Sequence, residues 1–251
     1  MSPATRQTPS TIIGPQPAWG ANVLERFTGD LAAGETPFPC TFATAALRQR
    51  HLQFAFIDDA ADERAWAPLP RVLERYVTTS QEIAQITSLV VFFRDEYGPR
   101  WLDWYEERFW AILQYLHAHD PVPWPADLPR DPEDPSWEFA FAGEPVFVVC
   151  NTPAHEHRRS RCSPELTITF QPRSVFDGLE ADMPRGQAAR RTIRQRLSRY
   201  DAPLEPSPEL GSYGHAGNRE WRQYFLRDSN RAAAGRGCPL RTQRSPTPLP
   251  R

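Results

Sequence analysis

Two histidines and three arginines stand together in Asn151-Thr152-Pro153-Ala154-His155-Glu156-His157-Arg158-Arg159-Ser160-Arg161, directly after the apolar run Val146-Phe147-Val148-Val149-Cys150. A loop that leaves a strand through a proline holds its side chains against a rigid sheet. This loop carries imidazoles that can bind a metal beside guanidiniums that can hold anions. The combination would suit a haem with its two carboxylates.

Other chemistries compete for the same residues. His155 and His157 point the same way if the chain is extended, and Cys150 and Cys162 flank them five residues to either side, so a zinc site is conceivable. The spacing matches no established zinc ligand pattern. Neighbouring arginines disfavour an imidazolium and leave a neutral nitrogen for a metal. Arg158, Arg159 and Arg161, with Arg173 after the next strand, offer planar forks for carboxylates or phosphates. No glycine-rich cradle accompanies them, which counts against nucleotides. Cys40, at the end of Phe-Pro-Cys and the start of a predicted helix, could be a soft metal ligand, a nucleophile or a small buried residue. Asn218-Arg219-Glu220-Trp221-Arg222-Gln223-Tyr224 could line a pocket or close the core. Gly-x-Ser-x-Gly, His-Glu-x-x-His and the dinucleotide fingerprint are all missing from the sequence, so hydrolase, metalloprotease and Rossmann readings lack their residues.

Composition narrows the classes further. With 251 residues and a formal charge of −2, the chain has no net attraction for nucleic acid or an anionic membrane, and neither is expected as a partner. All 29 basic residues are arginine, which removes Schiff-base lysine chemistry and any Walker lysine. Four scattered cysteines are too few for a disulfide scaffold. No signal-peptide pattern and no run of 18 apolar residues is visible, so a cytoplasmic, soluble protein is expected.

The elements that must position these residues follow from periodicity. Residues 1–20 and 231–251 read as disordered tails, the second basic, around one domain over 21–230. Helices are predicted over 21–31, 41–50, 70–78, 99–119 and 185–200, the last with its arginines on a solvated face. Strands are predicted over 52–57, 86–93 and 166–170, with a hairpin of 137–141 and 146–150. The proline-rich stretch 120–135 reads as a lid or a wall. Helices and strands interleave first and strands cluster later, which predicts an α+β or mixed α/β fold: a single domain with a mixed, largely antiparallel sheet flanked by helices.

Several segments in order resemble the YqcI/YcgG family: Phe38-Pro39-Cys40 with Phe42-Ala43, Phe54-Ala55-Phe56, Ser88 to Phe93, Tyr105-Glu106 with Phe109-Trp110, and Trp137 to Glu144. Asn151 to His155 with Arg158 and Arg161, Phe170-Gln171-Pro172-Arg173 and Asn218 to Trp221 continue the match over residues 35–228. The resemblance implies a haem b (iron) monooxygenase that hydroxylates a nitrogen of a small amino-acid-like substrate, the guanidino group of arginine being the leading candidate. It would use O2 with an external electron donor, supplied by a redox partner protein, or peroxide. On that resemblance His155 is the candidate axial metal ligand and Cys40 its competitor. Arg158, Arg161 and Arg173 would hold propionates or a substrate carboxylate, and Glu144 or Glu220 would pair with a cationic substrate. Trp104, Trp110, Trp137 and Phe141 could flank the macrocycle. A non-catalytic haem sensor or carrier, and a zinc-dependent enzyme built on His155 and His157, are the alternatives.

Overall fold

The computed structural model describes residues 12–32, 36–180, 182–231 and 237–242. Its frame is one mixed sheet of five strands in the order β1-β2-β5-β4-β3, formed by Leu52–Ile57 (β1), Ser88–Phe93 (β2), Ala140–Phe141 (β3), Glu144–Asn151 (β4) and Leu166–Pro172 (β5). β1 and β2 pair in parallel, joined through the helix α3 (Leu69–Ile83), and every other pairing is antiparallel. β1 and β2 are buried throughout and mostly apolar because helices cover both of their faces. The hairpin between β3 and β4 turns on Ala142 (φ 52°) and Gly143 (φ 81°), two successive left-handed residues that match the twist of the strands. This turn is tighter than the four-residue connection predicted from sequence.

Period-two alternation sorts the strand residues onto two faces. Leu89, Val91, Val146, Val148, Ile168 and Phe170 point to the larger core, against α3 and α4 (Leu102–Ala118). α4 buries Tyr105, Phe109, Trp110, Ile112, Leu113 and Leu116, so it carries apolar groups on more than one side. Leu52, Phe54, Phe56, Val90 and Phe92 pack on the other face against α1 (Ala18–Ala32), with α2 (Thr41–Arg48) beside them. α5 (Pro184–Tyr200) lies on that side, while the one-turn α6 (Glu220–Tyr224) sends Trp221 and Tyr224 into the larger core.

Parts of the segments read as tails pack on the domain. Ile12 bridges Phe54, the Ile13 amide donates to the Phe54 carbonyl at 2.8 Å, and Ile13 is buried. At the other end Leu240 and Thr242 are buried, and Gln114 on α4 accepts the Arg241 amide at 2.9 Å. The remainder of both predicted tails lies outside the described residues. The segment 120–135 is neither lid nor wall of the cavity described below. Its Trp124 is buried and stacks on Trp137, closing the larger core. No helix among the described residues is long and apolar enough to cross a membrane.

Candidate functional site

A cavity of about 560 Å³ lies between the sheet and α5, well within the ~300–1,000 Å³ of cofactor and small-molecule sites. Its floor is the β4 and β5 face opposite the larger core: Phe147, Val149 and Asn151 alternate with the core residues Val146, Val148 and Cys150. Phe27, Phe38 and the start of α2 form one side, and Ala189, Ile193 and Leu197 of α5 form the roof. Gly186 lets that roof sit close, since a Cβ there would lie 2.3 Å from the carbonyl oxygens of Leu179 and Glu180. Phe38, Phe147, Val149, Ile193 and Leu197 are only partly buried, so a ligand filling the cavity would remove further apolar surface from water.

The polar groups of this cavity include four of the residues expected from sequence, Cys40, Arg161, Arg173 and Glu220. Cys40 is the N-cap of α2, and its Sγ accepts the Ala43 amide at 3.4 Å. Burial pushes its thiol above the ordinary range, opposed by the amides of Ala43 and Phe42 and the charges of Arg161 and Arg196. A free Cys40 is therefore a neutral thiol rather than a poised nucleophile, and a bound metal would deprotonate it. Arg161 also lines the cavity, but it spends its terminal nitrogens on the carbonyls of Cys150, Tyr224 and Gln223. Burial lowers its pKa to about 10.

Further along the wall, Arg173 meets two carboxylates. Its Nε and Nη2 grip Glu138 in a fork, and Nη2 also donates to Glu220 Oε1 at 3.0 Å. Tyr213 covers the guanidinium face, 3.8 Å from the ring centroid. Asn218 and Gln223 donate to Glu220 Oε2 at 2.8 and 3.1 Å. Burial raises Glu138 to about 8, while the two carboxylates hold Arg173 more basic than usual. For the coupled cluster the firm direction is a permanently cationic Arg173, because fork geometry and double anionic contact both favour its charge. Glu138 was missed from sequence, although a lone acid inside the apolar run Trp137-Glu138-Phe139-Ala140-Phe141 was a visible signal.

His155 is hydrogen-bonded at both ring nitrogens. It lies outside the cavity lining, only 3% exposed, with Nε2 donating to the Leu226 carbonyl at 2.8 Å. Because that carbonyl can only accept, Nδ1 is the ring's acceptor and takes the Thr152 hydroxyl proton at 2.9 Å. Both nitrogens are thus engaged inside the protein. Burial lowers the imidazole to about 4, and Arg161 and Arg158 push the same way against the Leu226 bond and Asp228. Arg158 is equally remote from the cavity: it donates to the Arg227 carbonyl at 2.8 Å and to Asn230 at 2.7 Å. Asp228 accepts the amides of Glu156, His157 and Arg158, and Asp201 accepts both the amide and hydroxyl of Ser160. The motif loop is a latch that ties β4 to the 226–230 segment and to the end of α5.

Two further expectations change. Glu144 is exposed at the β3–β4 turn and does not line the cavity. Trp104, Trp110, Trp137 and Phe141 belong to the core on the opposite face of the sheet, whereas Phe27, Phe38, Phe147 and Phe176 line the cavity. The zinc arrangement does not assemble: Cys150 is buried in the core, His157 and Cys162 are exposed, and no metal-binding group of His, Cys, Asp or Glu forms among the described residues. A cleft of about 710 Å³ also opens beside α4, but Cys40, His155, Arg161, Arg173 and Glu220 are all outside its lining.

The fold and cavity define a mixed α/β protein with an apolar chamber that carries a thiol, guanidiniums and a carboxylate. The chain belongs to the YqcI/YcgG family, whose profile matches residues 27–241. It is 40% identical over 228 residues to "Uncharacterized protein YcgG" of Bacillus subtilis (strain 168), covering 89% of this chain and 88% of that one. "Uncharacterized protein YqcI" of the same organism is 37% identical, with the same coverage. "Putative N(omega)-hydroxy-L-arginine synthase DcsA" of Streptomyces lavendulae is 35% identical over 228 residues, covering 88% of this chain and 84% of that one. No solved structure matches.

Proposed function

We propose that this protein is a haem-dependent oxygenase that hydroxylates a nitrogen of a small amino-acid-like molecule, and that the 560 Å³ cavity would hold the haem with Cys40 as the residue that binds its iron. The observation that carries the reading is the placement of Cys40. A thiol stands at the wall of a chamber lined by half-buried aromatic and aliphatic groups, while both nitrogens of the rival ligand His155 are engaged elsewhere. The residues present suit a porphyrin: apolar surface for its faces and one soft donor. The name of the Streptomyces lavendulae relative favours nitrogen as the atom oxidised.

When bound, haem supplies the activation of O2 or peroxide, and a thiolate ligand favours cleavage of the O–O bond. The protein's own residues do the rest. Cys40 would hold the iron as a thiolate, and the buried Arg161 guanidinium would offset that charge. Ile193, Leu197 and Phe147 exclude water from the chamber. Glu220, fixed by Asn218, Gln223 and Arg173, presents a carboxylate to a cationic substrate group. Use of O2 requires electrons from an external donor, a redox partner or small reductant.

Purification with hemin and absorption spectroscopy test this reading. The unmodified protein and His155→Gln are expected to show the same Soret band, with loss or displacement of the band in Cys40→Ala. Mass spectrometry of a panel of amino acids should then find a gain of one oxygen. A colourless protein after hemin addition, or a band lost only in the histidine variant, would overturn the assignment. A stable band without oxygen transfer to any substrate would make the protein a haem sensor or carrier.

A further inference from the structure

The charged groups of the cavity are not equivalent, and their unspent hydrogen-bonding capacity distinguishes them. Arg161 uses both terminal nitrogens on backbone carbonyls, and Arg190 does the same with the carbonyls of Leu179 and Glu180. Arg173 has five N–H groups, of which Glu138 and Glu220 take three, all on Nε and Nη2. Nη1 makes no hydrogen bond to a described residue. The guanidinium cannot turn away from the cavity, because Glu138 holds its far edge and Tyr213 covers its face. It is a fixed fork with one open tine.

Glu220 is similarly pre-set. Three donors reach its two oxygens, from Arg173, Asn218 and Gln223, leaving one of about four acceptor sites unused. An open cationic donor and an open anionic acceptor therefore stand side by side on one cavity wall, coupled through the 3.0 Å bond between Arg173 and Glu220. We propose that Arg173 and Glu220 form a receptor for the zwitterionic head of a free α-amino acid, with its carboxylate on Arg173 Nη1 and its ammonium on Glu220. This rests on the cavity being the substrate chamber and adds which end of the substrate is read. Arg173 follows Pro172, which pairs with Val146 at the start of β4; Arg161 binds the Cys150 carbonyl near its end. The Val146-to-Asn151 step is about 17 Å at 3.4 Å per residue, so a bound head leaves length for a side chain to run along β4.

The test uses the full chain supplied with hemin and measures binding by calorimetry together with the Soret band. The probes are L-arginine, L-lysine and L-ornithine, each beside its methyl ester and its Nα-acetyl derivative. At least one free amino acid is expected to bind, and both of its head-blocked forms to bind roughly 10- to 100-fold more weakly, the loss of one charge-assisted contact. Arg173→Met should lose this preference while keeping the Soret band. Equal binding of the free and blocked forms, or no binding by any free amino acid while the Soret band is present, would overturn the receptor. Loss of the Soret band in Arg173→Met would also overturn it, by assigning Nη1 to a haem propionate. A protein that never takes up haem defeats the oxygenase reading separately, since calorimetry reports the receptor without it.

Discussion

His155 stands at the centre of the latch, and its titration should be visible as a loss of stability in acid. The imidazole is 3% exposed, neutral, and hydrogen-bonded at both nitrogens; its folded pKa is lowered to about 4 from an ordinary 6.5. Between those values the unfolded chain takes a proton that the folded chain refuses. Stability is therefore fully present above pH 6.5 and falls as pH drops toward 4, by about 3 kcal/mol at ~1.4 kcal/mol per pH unit. Urea midpoints at pH 7.5, 6.5, 5.5 and 4.5 for the unmodified protein and His155→Gln isolate this contribution. The glutamine cannot titrate, whereas Asp228 and the other carboxylates titrate in both proteins. The stability difference between the two proteins should shrink by most of that amount across the series. Parallel curves would refute the buried neutral imidazole, and with it the claim that the motif histidine is a structural clasp.

Two other perturbations separate the latch from the cavity roof. Asp201→Ala strands the buried amide and hydroxyl of Ser160, so it should cost about 3 kcal/mol, read as a lowered denaturation midpoint. Gly186→Ala places a methyl group 2.3 Å from two backbone oxygens. The start of α5 must lift, with an expected loss of about 1–3 kcal/mol and, for the haem proposed to fill the chamber, faster transfer to apomyoglobin; unchanged transfer would show that this turn does not close the chamber.

The framework was legible because it rests on periodicity. The apolar runs of β1 and β2 and the multi-sided α4 express burial, which a sequence records directly, and the proline at the start of α3 marks a helix end through its fixed φ and missing N–H. The site was only partly legible. Cys40, Arg161, Arg173 and Glu220 do meet in one cavity, yet they come from α2, a loop, the end of β5 and α6. Nothing in local spacing joins them. The loop richest in histidine and arginine misled because a buried guanidinium can serve backbone carbonyls as readily as a ligand, and Arg158 does so. Glu138 was hidden for the opposite reason: its partner Arg173 is 35 residues away, so the sequence shows a buried acid without its counter-charge.

Strand parity explains how one sheet can carry both a core and a chamber. Along β4, Val146, Val148 and Cys150 are fully buried against α3 and α4, while the intervening Phe147 and Val149 face the cavity. A slip of one residue would exchange the two sets and place the chamber's half-buried side chains in the core, so the burial difference itself fixes the register. The neighbouring β5 obeys the same rule, with Ile168 and Phe170 inward and Thr169 and Gln171 toward the cavity. Thr169 and Gln171 can therefore vary in polarity without disturbing the packed face behind them. Arg161 joins the two systems, since it lines the chamber while gripping the Gln223 and Tyr224 carbonyls of α6. The latch thereby sets where Glu220, on that same short helix, stands in the cavity.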